Sequence, residues 1–98
     1  MSVYGAGVIT LDNQGAYPAT PQLDVSEKFL PDGWHFANLS AALTVFVSFD
    51  GTTDHLALVK GAATEALPVV KCSYRKVWLR KDNQAGAASA IATAITDR

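Results

Sequence analysis

The sequence Leu-Thr-Val-Phe-Val-Ser-Phe-Asp-Gly at positions 43–51 decides the fold class. Its large apolar side chains recur at every second position, which is the spacing of one face of a β-strand. They are Leu43, Val45, Val47 and Phe49. Asp50 and Gly51 end the run with residue types that favour tight turns. A short apolar run at residues 55–59 follows at hairpin distance, so the stretch predicts an antiparallel strand pair.

Other strand-like runs recur along the chain at intervals of about ten residues, with turn residues between them. They lie at residues 3–11, 67–72 and 74–81. This spacing predicts one all-β domain over residues 1–98, a small antiparallel β-sandwich or jelly-roll-like barrel. We expect residues 1–22 to form an extended N-terminal arm or edge strand followed by a loop. Residues 23–98 then form the sandwich core.

Two short segments qualify this pattern. Gly5 and Gly7 interrupt the first strand, which suits a strand that bends or lets another backbone approach closely. Residues 85–96 are rich in alanine, which favours a helix, yet β-branched residues and serine recur there at a spacing of two. That alternation favours a strand over the helix. Its all-alanine second face predicts close packing against a flat surface, either the other sheet or a neighbouring subunit.

Composition limits the functions that the chain can have. Apolar residues make up 49% and charged residues 17%, against a usual charged share of about 25%. The net charge is −1, whereas a dedicated nucleic-acid-binding domain is usually basic, so we expect no nucleic-acid partner. No run has the roughly 18 apolar residues of a membrane span, and residues 1–11 lack the features of a signal peptide. We therefore expect no membrane association and synthesis in the cytoplasm.

The most informative candidate site lies at residues 74–81. On a strand, Val77 and Leu79 would face inward and Arg75 and Lys81 would lie at the rims. The outward side chains would form an aromatic pair framed by cations: Tyr74, Lys76, Trp78 and Arg80. Such residues are common at interface hot spots, and they also form cation–π contacts within a chain. The pattern leaves a partner-binding face and a solvated sheet face with one packed Trp as alternatives.

The remaining candidates do not combine into a catalytic or metal motif. Asp50 and Gly51 fit a turn, because the alternate oxygen ligands and later Glu of a calcium loop are missing. Asp54 and His55 are neighbours that would point to opposite faces of a strand, and no motif supplies them with a nucleophile. Cys72, the single cysteine, fits a small buried hydrophobe. We therefore predict no catalytic residue, no metal site and no cofactor, and a protein that is not an enzyme.

Aromatic residues cluster after the turn predicted at residues 31–33. Trp34, His35 and Phe36 follow one another there. Exposed rings of this kind would form a carbohydrate-binding platform, whereas buried rings would close one end of the core. The sequence favours the core position.

Three segments of the chain resemble small structural proteins of tailed-bacteriophage virions. The first two are Phe-Ala-Asn-Leu-Ser at 36–40 and Leu-Thr-Val-Phe-Val-Ser-Phe-Asp-Gly-Thr-Thr-Asp-His at 43–55. The third is Lys-Val-Trp-Leu-Arg at 76–80, followed by a Gly/Ala-rich turn and a last strand of small residues. The resemblance covers about residues 36–96. It implies a β-sandwich subunit present in many copies, in which Asp50 and Gly51 shape a turn and Arg80 anchors a contact or the sheet edge.

What the resemblance implies about function is structural. It points to a virion protein assembled in the host bacterial cytoplasm, most simply a capsid decoration protein that binds and bridges shell subunits. The expected partners are the major capsid protein or other virion proteins, together with further copies of the chain as a homo-oligomer. A neck or tail component is the alternative within this class. A receptor- or carbohydrate-binding module that uses Trp34 and Trp78 is the alternative from another class, and a small hydrolase built on Asp54 and His55 is the third.

Overall fold

The computed structural model describes residues 2–12, 15–28, 30–40, 42–59 and 73–96. Seven β-strands account for the regular structure of these residues. They are β1 (Ser2–Leu11), β2 (Leu23–Asp24), β3 (Gly33–Asn38), β4 (Val45–Ser48), β5 (Leu56–Leu58), β6 (Lys76–Lys81) and β7 (Ala88–Thr96). The described segments hold no helix of the length and hydropathy that a membrane span requires. The strand expected at residues 67–72, with Cys72, lies outside the described residues.

The strands form two antiparallel sheets that pack together as a small β-sandwich. One sheet has the order β1-β7-β3 and the other the order β2-β6-β4-β5. The hairpin predicted from residues 43–59 is confirmed, since β4 and β5 pair with Val47 opposite Leu56. The predicted all-β class is confirmed as well. Alternation decides this architecture, because each strand offers one apolar face and two such faces bury each other.

The core lies between the sheets, and strands β6 and β7 contribute alternate residues to it. The face of β4 predicted to point inward is buried, with Val45 and Val47 at 0% exposure. Val77 and Leu79 of β6 are buried in the same way. Trp34 and Phe36 of β3 lie in the core, with ring centroids 5.9 Å apart. Their burial confirms the core position that the sequence favoured for these rings.

The alanine-rich segment is strand β7, which lies at the centre of its sheet. Its buried residues are Ala88, Ala90, Ala92, Ala94 and Thr96. The serine, isoleucine and threonine between them are half-buried on the other face. The predicted strand is therefore confirmed over the helical alternative. The flat surface that the alanines pack against is the other sheet, because small side chains let the bulky residues of β3 and β6 fill the space between the layers.

Strand β1 is an edge strand of the first sheet and pairs with β7 along its length. Gly5 lies opposite Thr93 and Val8 opposite Ile91, so two residues of β1 oppose one of β7 and form a β-bulge. Gly7 has a φ of 80°, which only glycine adopts readily. A Cβ on Gly5 would lie 3.1 Å from the Ala92 carbonyl oxygen. Both properties predicted from the two glycines, a bend and a close backbone approach, are confirmed.

Lys81 is buried, so the prediction that it lies at the rim is wrong. Strand β6 continues through this residue, so the alternation that buries Val77 and Leu79 turns Lys81 inward as well, to 1% exposure. Its ammonium group donates hydrogen bonds to the carbonyl oxygens of Asp82, at 3.2 Å, and of Gln84. Buried ammonium groups need such acceptors, and the turn after β6 supplies them.

Candidate functional site

The outward face of β6 holds three of the four residues singled out from the sequence. Lys76 is exposed, and Trp78 and Arg80 are half-buried, alternating with the buried positions of the same strand. Tyr74 precedes the strand and is 54% exposed. Its ring stacks on Phe49, with centroids 5.0 Å apart and an interplanar angle of 13°. Tyr74 therefore belongs to a row of rings at the end of the core.

Arg80 is held by contacts within the chain. Its Nε and Nη2 donate to the two carboxylate oxygens of Asp54, at 3.1 and 2.6 Å. The guanidinium lies over the ring of Phe46, its cross-strand partner on β4, at 4.0 Å from the centroid. A bidentate carboxylate pair combined with ring stacking is an arrangement that favours arginine over lysine. We name Arg80, Asp54, Phe46 and Tyr17 the Arg80 cluster.

Tyr17 brings the loop after β1 into this cluster. Its hydroxyl donates a short hydrogen bond to Asp54, and Arg80 lies 5.5 Å from its ring centroid. Burial, followed by the neighbouring Asp54 carboxylate, raises the pKa of Tyr17 well above its usual value. The hydrogen bonds from Arg80 and then Tyr17 lower the pKa of Asp54. Asp54 is thus an ionised acceptor for both groups at neutral pH, and the loop is fastened to the outer face of the second sheet.

The turn after β4 is built on Asp50 and Gly51. The Asp50 Oδ1 accepts hydrogen bonds from the amides of Thr52 and Thr53, both at 2.8 Å, and from the Ser48 hydroxyl at 2.9 Å. Gly51 has a φ of 81°, and a Cβ there would lie 3.1 Å from the Trp78 ring. Glycine is needed both for the backbone conformation and for the close approach of that ring. Trp78 therefore packs beneath the turn.

Asp50 also predicts a dependence of stability on acid pH. Hydrogen bonds from the Thr53 and Thr52 amides, and then from Ser48, hold the pKa of Asp50 far below its usual value. Such a carboxyl contributes stability that is present above its unfolded pKa, about 3.9, and is lost as the pH falls through the folded value. We expect Asp50→Asn to flatten the decline of the free energy of unfolding between about pH 5 and pH 2.

Urea denaturation of the wild type and Asp50→Asn at pH 7, 4, 3 and 2 measures this slope. Thr52→Ala is the matched control, because it changes the same exposed turn but keeps both the Asp50 carboxylate and the amide that donates to it. This control should keep the wild-type slope. Equal slopes for the wild type and Asp50→Asn would contradict the assignment.

Asp54 and His55 make their hydrogen bonds to different parts of the fold. Asp54 binds Arg80 and Tyr17, whereas the Nδ1 of His55 accepts a hydrogen bond from the Phe49 amide at 3.0 Å. Within the described residues, no three His, Cys, Asp or Glu side chains are grouped to hold a metal ion. Each of these side chains is therefore accounted for by its contacts within the fold.

The structure reveals a second candidate surface that the sequence reasoning missed. It is the outward face of the β1-β7-β3 sheet, which we name the apolar sheet face. By register and alternation it consists of Val3, Gly5, Val8, Thr10, Gly33, His35, Ala37, Ser89, Ile91, Thr93 and Ile95. Val3 and Val8 are each 59% exposed, and these positions include no Asp, Glu, Lys or Arg. On β3, Gly33 and Ala37 are buried by their neighbours, so the exposed part of this face lies mainly on β1, next to the half-buried residues of β7. Exposed surface without charged side chains is typical of contact surfaces.

One residue and one surface escaped prediction for a physical reason. Tyr17 lies 37 residues from Asp54 in a loop without periodicity, so only the folded chain brings the two together. The apolar sheet face arises from three strands that are far apart in sequence. Ile91 and Ile95 alternate with the alanines of the same strand, but this pattern does not show which of the two faces turns outward.

Comparison with known proteins leaves the chain without an assigned family. No protein-family model matches it, and neither the curated proteins nor the solved structures contain a match.

Proposed function

We propose that this chain is a non-enzymatic structural protein of a tailed-phage virion, in which it decorates the capsid and bridges shell subunits. The observation that carries the proposal is the apolar sheet face. Its positions include no Asp, Glu, Lys or Arg, and Val3 and Val8 expose more than half of their accessible surface there. A subunit that lies against a larger particle buries such a face, and the burial of its apolar side chains stabilises the contact.

The positions of the resemblance motifs add support. The strand end that carries Asp50-Gly51 belongs to β4, and the strand that ends near Arg80 is its neighbour β6. Asp54, at the end of the first motif, binds Arg80 of the second. The two motifs therefore form one structural unit, a braced hairpin and strand. In the proposal this unit keeps the second sheet rigid while the first sheet makes the contact.

The proposal can be tested by binding to particles. Purified protein is mixed with capsids of the phage that encodes it, after removal of the native copy, and the bound fraction is measured by sedimentation. We expect saturable binding, and a loss of about tenfold or more in affinity for Ile91→Lys, since a charge in an apolar contact must be desolvated. Val59→Lys, at a site 65% exposed just after β5, is the matched control and should bind as the wild type does.

The same experiment separates the settings within a virion. Imaging of the bound particles should locate the protein on the shell, and density at the neck or tail would assign it to those parts instead. Absence of binding to any part of the particle, or a gene that lies outside every phage or prophage genome, would overturn the virion proposal. Trp34 is buried at 0% exposure, so the aromatic platform of the carbohydrate-binding alternative loses one of its two rings.

A further inference from the structure

Strand β1 is a long sheet edge with few of the usual protections against pairing. It has ten residues, whereas the edge strands of the second sheet, β2 and β5, have two and three. Natural edges are blunted by shortness, by charged side chains, by proline or by a β-bulge, and of these features β1 has only the bulge. Residues 2–11 contain no Lys, Arg, Asp, Glu or Pro. Among the described strands, only β7 pairs with β1.

The opposite edge of the same sheet is tied to its own molecule. Asn38, at the end of β3, donates from its side-chain amide to the carbonyl oxygens of Leu43, Leu58 and Val59, at 2.8 to 3.2 Å. These bonds join the β3 edge to the β5 side of the other sheet. The two long sides of the sheet therefore differ, and β1 is the side available to another chain.

We propose that β1 pairs with β1 of a second copy, antiparallel across a two-fold axis, and joins two three-stranded sheets into one of six strands. Such an axis is perpendicular to the sheet, so the outward face of one copy continues into the outward face of the other. Full overlap of residues 2–11 makes paired residue numbers add up to 13. Val3 then lies opposite Thr10 of the second copy, and Gly5 lies opposite Val8.

The bulge is what makes full overlap possible. Before the bulge the outward positions are the odd residues Val3 and Gly5, and after it they are the even residues Val8 and Thr10. Paired residues in adjacent strands point to the same face, so an odd position must meet an even one in this register. Without the bulge, a full overlap of ten residues would place each outward side chain opposite an inward one. The bulge restores the match at the centre of the contact.

Charge and hydrogen bonding also suit a second copy as the partner. A two-fold contact brings each strand against itself, and a strand without charged side chains meets no like-charge repulsion. Antiparallel pairing exchanges two hydrogen bonds at alternate residue pairs, which gives up to about ten along this edge. That number is typical of a stable protein–protein interface. The dimer also doubles the width of the apolar sheet face, from three strands to six.

Cross-linking tests the register directly. In a Cys72→Ser background, which removes the single native thiol, Val3→Cys and Thr10→Cys are prepared as separate proteins and treated with a short bis-maleimide. The opposed Cβ atoms would lie about 5 Å apart, whereas like positions would be seven residues, or roughly 23 Å, apart. We expect a covalent dimer from the mixture and monomer from either protein alone. Cross-linking that is equal in all three samples would overturn this register.

Analytical ultracentrifugation tests the contact without thiols. The wild type should sediment as a dimer, at twice its chain mass of 10.4 kDa. Val8→Lys should weaken the dimer by at least about tenfold, while Val59→Lys should leave it unchanged. A wild type that stays monomeric up to about 1 mM would overturn the pairing. This pairing specifies how the expected homo-oligomer forms, and it does not depend on the proposal that the chain is a virion protein. Ile91→Lys should keep the dimer, so failure of shell binding and failure of pairing are seen separately.

Discussion

Replacing Trp34 with alanine is expected to lower the free energy of unfolding by about 3–5 kcal/mol. The side chain is fully buried, and its ring stacks in parallel on Phe36. Its Nε1 donates to the Tyr74 carbonyl oxygen at 2.8 Å. The substitution therefore leaves a large cavity between the sheets and an acceptor without its donor. A small domain has only about 5–15 kcal/mol to lose.

Thermal denaturation followed by circular dichroism measures this change. We expect the melting temperature to fall by roughly 15–30 °C, because each kcal/mol corresponds to about 4–8 °C in a domain of this size. Trp34→Phe weighs the cavity against the lost hydrogen bond. Phenylalanine keeps a ring and most of the volume in the core, but it has no N–H group to donate to the Tyr74 carbonyl oxygen. The half-buried Trp78 is the matched site, and Trp78→Ala should cost clearly less. Equal losses at the two tryptophans would contradict the assigned core.

Asn38→Ala is expected to cost about 2–4 kcal/mol, because one side chain satisfies several buried main-chain groups. The residue is 1% exposed. Its amide nitrogen donates to three carbonyl oxygens between the sheets, and its oxygen accepts from the Ser40 amide at 2.9 Å. Alanine removes all of these hydrogen bonds at once. The main-chain groups that bonded to the Asn38 side chain are then left buried without a partner. Urea denaturation at pH 7 measures the loss.

Asn38→Asp is the matched variant, because it keeps the size and shape of the side chain and replaces the donor with an acceptor. At pH 7 the carboxylate would face carbonyl oxygens, so we expect a loss at least as large as that of alanine. Below about pH 4 the protonated acid regains one O–H donor, and part of the stability should return. An aspartate variant as stable as the wild type at pH 7 would contradict the role assigned to the amide.

Local alternation predicted the elements that carry the fold. The faces of β4 and β6 follow from their apolar residues at every second position, and the burial of Val45, Val47, Val77 and Leu79 agrees. The same rule decided between strand and helix for residues 85–96. These predictions held because a strand has a side-chain period of two and a sandwich buries one face of each strand.

Alternation predicted less well wherever a side chain acts through a distant part of the chain. Lys81 is a local exception, because alternation itself turns it inward and the turn just after β6 supplies the carbonyl oxygens that allow its burial. Alternation places Arg80 on the outward face of β6 but does not predict its ion pair with Asp54, 26 residues earlier. Nor does it predict the hydrogen bond of Tyr17 to the same carboxylate. Such contacts depend on which strands become neighbours, and strand periodicity carries no information about that.

The sequence by itself determined an all-β domain, the inward faces of β4 and β6, the turn at Asp50-Gly51 and the irregularity at the first-strand glycines. Each of these follows from a side chain or a backbone preference within a few residues. Only the tertiary structure decided where the small apolar residues lie. The order β1-β7-β3 places the alanines of β7 against the other sheet and leaves the apolar sheet face outward. The pairing of distant strands, and not their composition, determines which apolar surface is left for a partner.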